Sequence, residues 1–254
     1  MIQSTEAIVV ASQKYGDSSK IVTFFTKDFG IIKAIAKGSL QIKSKFGSAL
    51  EILSYVQINF YSKPEGHLQL LSDAEIVCPN YNLSKSFEHI TIGFALCEVI
   101  TKTLEENYRN PFIFNELVHS LNYLNNLAAN PSNILIKFLL DLARILGFAV
   151  NLNITNDTAQ NLDSNSKQHK YLLNLENGNF QIINNNSNNY KNYDFIEKEL
   201  MEKIIKINIF QIDELGNIEL SINEVGQLIN ILSKYYHFHL GKYFYLESMR
   251  LLTE

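Results

Sequence analysis

The stretch that decides the fold runs from residue 21 to residue 36 and reads IVTFFTKDFGIIKAIA. It contains two short apolar runs, Ile21 to Thr26 and Gly30 to Ala36, separated by a Lys-Asp-Phe turn. Runs of β-branched and aromatic residues bounded by turn residues are typical of strands. Gly30 can adopt the positive φ that a hairpin loop of about three to four residues requires. The sequence therefore predicts a β-hairpin here.

Three further runs of the same kind surround this hairpin. One run, Thr5 to Ser12, precedes it, and another, Glu51 to Tyr61, follows it. The turn Ser62 to Gly66 then leads into a run from His67 to Ile76. Five short strands within about 75 residues predict a small barrel.

The spacing of apolar residues changes after residue 82 to steps of three, four and seven, which is a helical period. The residues with this spacing are Leu83, Phe87, Ile90, Phe94, Cys97 and Leu104. Asn110-Pro111 and Asn130-Pro131 each place a capping side chain before a proline, and Ser221 with Glu224 forms a capping box. Each of these three patterns predicts the start of a helix.

The chain is accordingly predicted to be α+β, with a five-stranded barrel over residues 1–80 and a helical bundle domain over 81–254. Within the second domain, residues 151–193 include 14 asparagines. Two short apolar runs on either side of Asn177 predict a small hairpin in this polar insertion. For residues 155–168, a disordered segment is an equally open interpretation.

The composition is globular, with 254 residues, 46% hydrophobic and 19% charged, and a net charge of −4. The chain is therefore not a polycation. The two cysteines, Cys78 and Cys97, form no C-x-x-C pair, which excludes a disulfide scaffold and a four-cysteine zinc site. The helical spacing around Cys97 predicts a buried wall residue rather than a nucleophile. We find neither a membrane-spanning run nor a signal peptide, and we expect a cytoplasmic protein.

The charge is distributed unevenly along the chain. Residues 11–50 contain seven lysines and two acids, whereas residues 81–254 contain 14 bases and 19 acids. The segment from Lys33 to Phe46 holds four lysines and no acid, and Gly38 and Gly47 permit close backbone approach. Such a loop on a barrel is a candidate platform for single-stranded nucleic acid, on which Phe46 could stack or anchor the loop. A solvated surface is the alternative interpretation.

The common catalytic motifs are absent: the sequence contains no G-x-S-x-G, Walker, G-x-G-x-x-G or H-E-x-x-H pattern. His237 and His239 would point apart in a helix, and no carboxylate or cysteine lies at ligand spacing from them. We therefore predict no catalytic residue, no metal site and no cofactor. A hydrolase that uses these two histidines is kept as the weakest alternative.

An ordered series of motifs along the chain resembles the bacterial RecO family. The similarity covers nearly the whole chain, is strongest over residues 5–75 and is weak over 151–220. The motifs are KYGDSSK at 14–20, AKG at 36–38, KSKFG at 43–47, LQLLS at 68–72, NP at 110–111, LGF at 146–148 and YYHFHL at 235–240.

The resemblance implies a recombination mediator of DNA repair and not an enzyme. It implies an N-terminal OB-fold and a C-terminal helical domain, binding of single- and double-stranded DNA, and annealing of complementary strands. It also implies partners, namely RecR and single-stranded-DNA-binding protein, with which the family loads RecA. The location it implies is the cytoplasm, in association with the nucleoid.

Carried over position by position, the resemblance implies a DNA-binding surface on the barrel. Its residues are Lys14, Lys33, Lys37, Gly38, Lys43, Lys45 and Phe46. The acidic and hydrophobic tail of single-stranded-DNA-binding protein would need a base beside apolar walls, for which Lys137, Phe138 and Arg144 are the candidates.

Two departures from the family pattern are evident. Ser39 and Leu40 stand where many members have further arginines, and residues 151–180 contain no cysteine, so the zinc site of many members is not carried over. A protein-interaction module, in which the barrel docks a protein and its lysines are merely solvated, is the main alternative.

Overall fold

A computed structural model describes residues 1–64, 67–126, 129–152, 170–183 and 195–253. Residues 155–168, for which disorder was the alternative interpretation, lie outside these ranges. The chain forms two compact units, which we call the barrel unit and the helical unit. They comprise Met1–Ala128 with Glu247–Leu252, and Ala129–Leu246 with Thr253–Glu254.

The barrel unit contains the five strands that the sequence predicts. They are β1 (Ile2–Tyr15), β2 (Ser19–Thr26), β3 (Gly30–Ala36), β4 (Tyr55–Tyr61) and β5 (Gln69–Cys78). The strand order is β1-β2-β3-β5-β4, and pairing of β1 with β4 closes the barrel. The β3–β5 pair is parallel and the other pairs are antiparallel. This confirms the predicted five-stranded barrel, and its topology is that of an OB-fold.

Alternation along the strands fills the barrel. On β2, β3 and β4, every second residue points inward, so Phe24, Ala34 and Ile58 are fully buried in one apolar cluster. Strands with a period of two must bury one face. The core of the barrel therefore lies where the sequence pattern placed it.

Gly30 begins β3 with φ of +66°, as the hairpin prediction requires. A Cβ atom at this position would lie 2.5 Å from the carbonyl oxygen of Tyr108. Glycine is thus required at position 30 for two reasons, the left-handed backbone and the close approach of another segment.

Two long α-helices belong to the barrel unit, α1 (Phe87–Thr103) and α2 (Pro111–Asn125). The Asn110 side chain accepts hydrogen bonds from two backbone N–H groups at the start of α2, which confirms the predicted Asn-Pro start. Phe114 of α2 packs against Phe25 of the barrel, with 5.8 Å between ring centroids. These helices therefore group with the strands, whereas the predicted domain boundary at residue 80 separates strands from helices.

The helical unit contains three helices and a small antiparallel sheet among the residues that the structure describes. The elements are α3 (Ser132–Ile145), β6 (Lys170–Leu173), β7 (Phe180–Ile183), β8 (Phe195–Glu197), α4 (Lys198–Ile209) and α5 (Ile222–Leu240). The sheet order is β7-β6-β8. The β6–β7 pair is the predicted hairpin, with Gly178 at φ of +70° in its turn. A short helix, α6 (Arg250–Thr253), follows, and its first three residues belong to the barrel unit.

The helix starts of the helical unit test two capping predictions. The capping box of Ser221 and Glu224 at the start of α5 is confirmed. The predicted cap at Asn130 is wrong, because no side chain caps α3 and the Asn130 amide donates to the carbonyl oxygen of Gly216 instead. Its φ of +51° places Asn130 in a turn that leads into the helix. Among the described helices, none is long and apolar enough to cross a membrane.

Candidate nucleic-acid interface

The basic loop, which we define as residues 37–46, follows β3 at one end of the barrel. Its backbone is braced internally, since the N–H of Gln41 donates to the carbonyl oxygen of Gly38 at 3.1 Å. Gly38 has φ of +71°, a left-handed backbone conformation that glycine adopts without strain. The N–H of Leu40 donates to the carbonyl oxygen of Ser18 at 2.9 Å, which ties the loop to the β1–β2 turn.

The end of the loop is anchored by its aromatic residue. Phe46 is 4% exposed and belongs to the apolar cluster inside the barrel. The Lys45 ammonium donates to the carbonyl oxygen of Ser72 and lies 5.2 Å from the centroid of the Phe46 ring. A buried ring offers no face to a base, so Phe46 is an anchor. Its assignment as a direct DNA contact is therefore corrected.

Two lysines of the basic loop keep their charge available. Lys37 and Lys43 are exposed, and within the part of the chain that the structure describes no carboxylate forms an ion pair with either. Lys14 is exposed in the same way near the end of β1. It lies opposite Lys20 in the β1–β2 hairpin, whose turn is bonded to the basic loop. The structure thus brings these three lysines to one end of the barrel.

Lys33 differs from the other predicted lysines because it has an acidic partner. Its ammonium lies 2.6 Å from a carboxylate oxygen of Glu106, a residue 73 positions away in the chain. Both side chains are about half exposed. A small cavity beside this pair is also lined by His67 and Gln69. The charge of Lys33 is therefore partly compensated within the protein.

One exposed residue of the basic loop was missed by the sequence analysis. Ile42 is fully exposed at the side of Lys43, and the neighbouring Leu40 is 40% exposed. Isoleucine is apolar and is usually assigned to a core, so the sequence pattern did not identify Ile42 as an exposed residue. Exposed apolar atoms among lysines can contact bases while the lysines contact phosphates.

The three residues predicted to bind a partner tail are all in α3, but only one is open to solvent. Phe138 is buried. Lys137 and Arg144 both form ion pairs with Asp141, at 3.2 and 2.7 Å. Arg144 also donates to the side-chain oxygen of Asn208, and 54% of its side chain remains exposed. The structure therefore brings two cations together around one carboxylate and leaves the apolar residue inside.

The histidine and cysteine candidates have different surroundings. His239 stacks on Phe148, with 4.8 Å between centroids and 5° between planes, whereas the His237 ring nitrogen Nδ1 bonds the carbonyl oxygen of Lys242. Burial raises the pKa of the Cys97 thiol to about 12, which confirms it as a wall residue. Among the described residues, no cluster of three His, Cys, Asp or Glu side chains could hold a metal ion.

Two family models cover most of the chain. The model described as "Recombination protein O N terminal" matches residues 1–80, and the one described as "Recombination protein O C terminal" matches residues 84–248. The chain belongs to the RecO family. The resemblance stated from the motifs is thereby confirmed, and RecO membership indicates a role in DNA repair and recombination.

Individual relatives agree with this membership. A "DNA repair protein RecO" of Salinibacter ruber is 38% identical over 148 residues, which are 58% of this chain and 57% of that protein. Proteins of the same name align over more of their length. The one from Chloroherpeton thalassium is 27% identical over 94% of this chain and 93% of its own, and the one from a Thermoanaerobacter species is 29% identical over 93% and 92%.

Proposed function

We propose that this RecO-family chain binds single- and double-stranded DNA through the basic loop and the adjoining β1–β2 hairpin, and that it anneals complementary strands. The observation that carries the proposal is the pair of exposed lysines, Lys37 and Lys43, on a loop whose backbone is braced from both sides. A braced loop loses little conformational entropy when it binds, so little of the electrostatic binding free energy is offset by ordering the loop.

The proposed mechanism is electrostatic and involves no bond-making step. Lysines that contact phosphates release condensed counterions, and this release drives binding. Two strands held on one cationic surface repel each other less, so their bases can approach and pair. If Lys14, Lys37 and Lys43 each contact one phosphate, the logarithm of affinity should fall with the logarithm of salt with a slope of about −2 for single strands and about −3 for a duplex.

The proposed partners follow the family. We propose that the chain works in the cytoplasm on the nucleoid with RecR and single-stranded-DNA-binding protein, and that it thereby helps to load RecA. Arg144 is the candidate that supports docking of the acidic tail, because more than half of its side chain is exposed. A tail carboxylate would compete there with Asp141.

A protein-interaction module is the second candidate function, because the full exposure of Ile42 also fits a protein partner. An exposed isoleucine among lysines could contact an acidic and apolar protein surface as readily as DNA. The two functions differ in their ligand, so they can be separated by direct titration.

The experiment is a titration of labelled single-stranded and duplex oligonucleotides at several salt concentrations, together with a strand-annealing assay. We expect wild-type binding with the slopes given above, and we expect Lys37→Glu with Lys43→Glu to weaken both binding and annealing. The matched control is Lys63→Glu with Lys85→Glu, which changes the net charge equally at exposed positions elsewhere in the barrel unit. Circular dichroism checks that each variant is folded. Equal binding and equal slopes in all proteins would overturn the proposal and favour the interaction module.

A further inference from the structure

A second surface of interest lies in the helical unit, in a segment that is rich in aromatic residues and free of acids. Between Glu224 and Glu247, residues 225–246 contain no acid, two lysines, two histidines and six phenylalanine or tyrosine residues. The unit is otherwise acidic, and this segment is its longest stretch without an acid. None of its residues belongs to the basic loop on which the proposed function rests.

The last part of the segment, residues 242–246, is a non-helical strip whose side chains alternate between exposed and buried from residue 243 onward. Gly241 ends α5 with φ of +62°, and the chain continues without helix. Tyr243 is 74% exposed and Tyr245 is 38% exposed, whereas Phe244 and Leu246 are buried. The strip therefore turns two tyrosine rings outward and two apolar side chains inward.

The inward residues hold the strip in place. The Phe244 ring stacks on Tyr236 with 4.8 Å between centroids and 25° between planes, and the Tyr236 hydroxyl donates to the carbonyl oxygen of Leu139 in α3. The carbonyl oxygen of Lys242 is bonded by His237 of α5 at 2.9 Å. The outward rings are thus positioned before any ligand binds, which lowers the entropy cost of binding.

The outward rings lie close enough to act together. The centroids of Tyr243 and Tyr245 are 6.3 Å apart with 32° between their planes, and those of Tyr243 and His237 are 6.5 Å apart. Lys242 is exposed beside them. We call these four residues, His237, Lys242, Tyr243 and Tyr245, the aromatic face.

We propose that the aromatic face is a base-stacking site for single-stranded DNA. Single-stranded DNA offers planar bases that can stack on aromatic rings and phosphates that can pair with a lysine. A duplex hides the faces of its bases, so the site should discriminate between the two forms. The inference extends the proposed DNA-binding function to a second site made of different residues.

The absence of tryptophan from the sequence provides a clean spectroscopic test. In Tyr243→Trp, the introduced indole is the only one in the protein, and a base stacked on it should quench its fluorescence. The probes are an oligothymidine, an abasic oligonucleotide of the same length, and a duplex. The matched control is Phe112→Trp, which replaces a ring of α2 that is 76% exposed.

We expect the oligothymidine to quench Tyr243→Trp strongly, the abasic strand and the duplex to quench it weakly, and Phe112→Trp to respond to none of them. Tyr243→Ala with Tyr245→Ala should weaken binding of the oligothymidine by about tenfold. Equal quenching by the abasic strand, or none by any DNA that binds, would overturn the proposal. Quenching only by an acidic and hydrophobic peptide would also overturn it and assign the face to a protein partner.

The experiment separates this proposal from the proposed function of the basic loop. If Lys37→Glu with Lys43→Glu weakens DNA binding but the indole is never quenched, only the stacking site fails. If the indole is quenched and the loop variant binds normally, the stacking site stands and the loop assignment fails.

Discussion

The basic loop of the barrel unit and helix α3 of the helical unit each contain a pair of cations six or seven residues apart, but these two pairs have different surroundings. Lys37 and Lys43 are exposed and have no acidic partner among the residues that the structure describes. Lys137 and Arg144 share the carboxylate of Asp141, which is 18% exposed. Basic residues at similar spacing are thus unpaired in one region and joined to a shared carboxylate in the other.

The difference teaches that the number of bases in a segment is not the charge available to a polyanion. A paired cation must give up its carboxylate before it can contact a phosphate, and the released carboxylate then repels the DNA. An unpaired cation on a braced loop loses only hydration and some side-chain freedom. DNA contacts should therefore follow unpaired lysines rather than lysine density.

The largest expected effect is on DNA binding by the basic loop. Each lost phosphate contact removes about 0.7 from the salt slope, so Lys37→Gln with Lys43→Gln should lower affinity for single strands roughly fiftyfold at about 50 mM salt. The measurement is a titration with a labelled oligothymidine over a salt series.

The matched variant for this comparison is Lys137→Gln with Arg144→Gln, which removes the same charge from α3. We expect its affinity for DNA to stay within about twofold of wild type, because these cations are committed to Asp141. A similar loss in both variants would break the comparison, since net charge alone would then explain binding.

The next effect is on stability. Asp141→Ala leaves Lys137 and Arg144 beside each other without their shared carboxylate, so we expect the free energy of unfolding to fall by about 2 kcal/mol. Urea denaturation measures this change. Asp213→Ala, at an exposed position of the same unit, is the control and should change stability by less than about 0.5 kcal/mol.

A smaller effect should appear at the start of α5, where Glu224 is a second paired carboxylate. Burial opposes its ionisation, but hydrogen bonds from Lys203 and Ser221 outweigh burial and hold the pKa of Glu224 below its ordinary value. A lowered folded pKa contributes stability above the unfolded pKa of about 4.3, and this contribution is lost as pH falls through the folded pKa.

Glu224→Gln should therefore lower the free energy of unfolding at pH 7 by about 1 kcal/mol, and the difference from wild type should vanish at low pH. Denaturation curves between about pH 2.5 and 7 test this. Glu219→Gln, at an exposed position just before the helix, should follow wild type throughout. A difference between Glu224→Gln and wild type that does not depend on pH would contradict the assignment.

The smallest effect should come from Lys33. Its environment is intermediate between the unpaired lysines of the basic loop and the paired cations of α3. It lies on the barrel, but Glu106 already pairs with it. We expect Lys33→Gln to weaken DNA binding by less than about threefold, and Glu106→Gln to strengthen it slightly by releasing the lysine. If Lys33→Gln lowered the affinity for DNA as much as a single Lys37→Gln substitution, ion pairing would not determine which lysines bind DNA.

Local chemistry explains why much of the fold could be predicted from the sequence. A strand is recognised by alternation that buries one face, as at Phe24 and Ile58, and a turn by the residue that its backbone demands, as at Gly30. The capping box at Ser221 and Glu224 joins residues three positions apart. Each of these features depends on neighbours in the chain, so the sequence by itself determined the barrel strands, the hairpin at Gly178 and most helix starts.

Only the tertiary structure decided which of the predicted site residues have available side chains. Glu106 reaches Lys33 across 73 positions, the barrel interior encloses Phe46, and Gly216 binds the side chain that was predicted to cap α3. Such contacts join segments that are distant in sequence, and no periodicity or spacing records them. The sequence determined where the lysines and aromatic residues lie along the chain, whereas packing determined which of them face solvent without a partner.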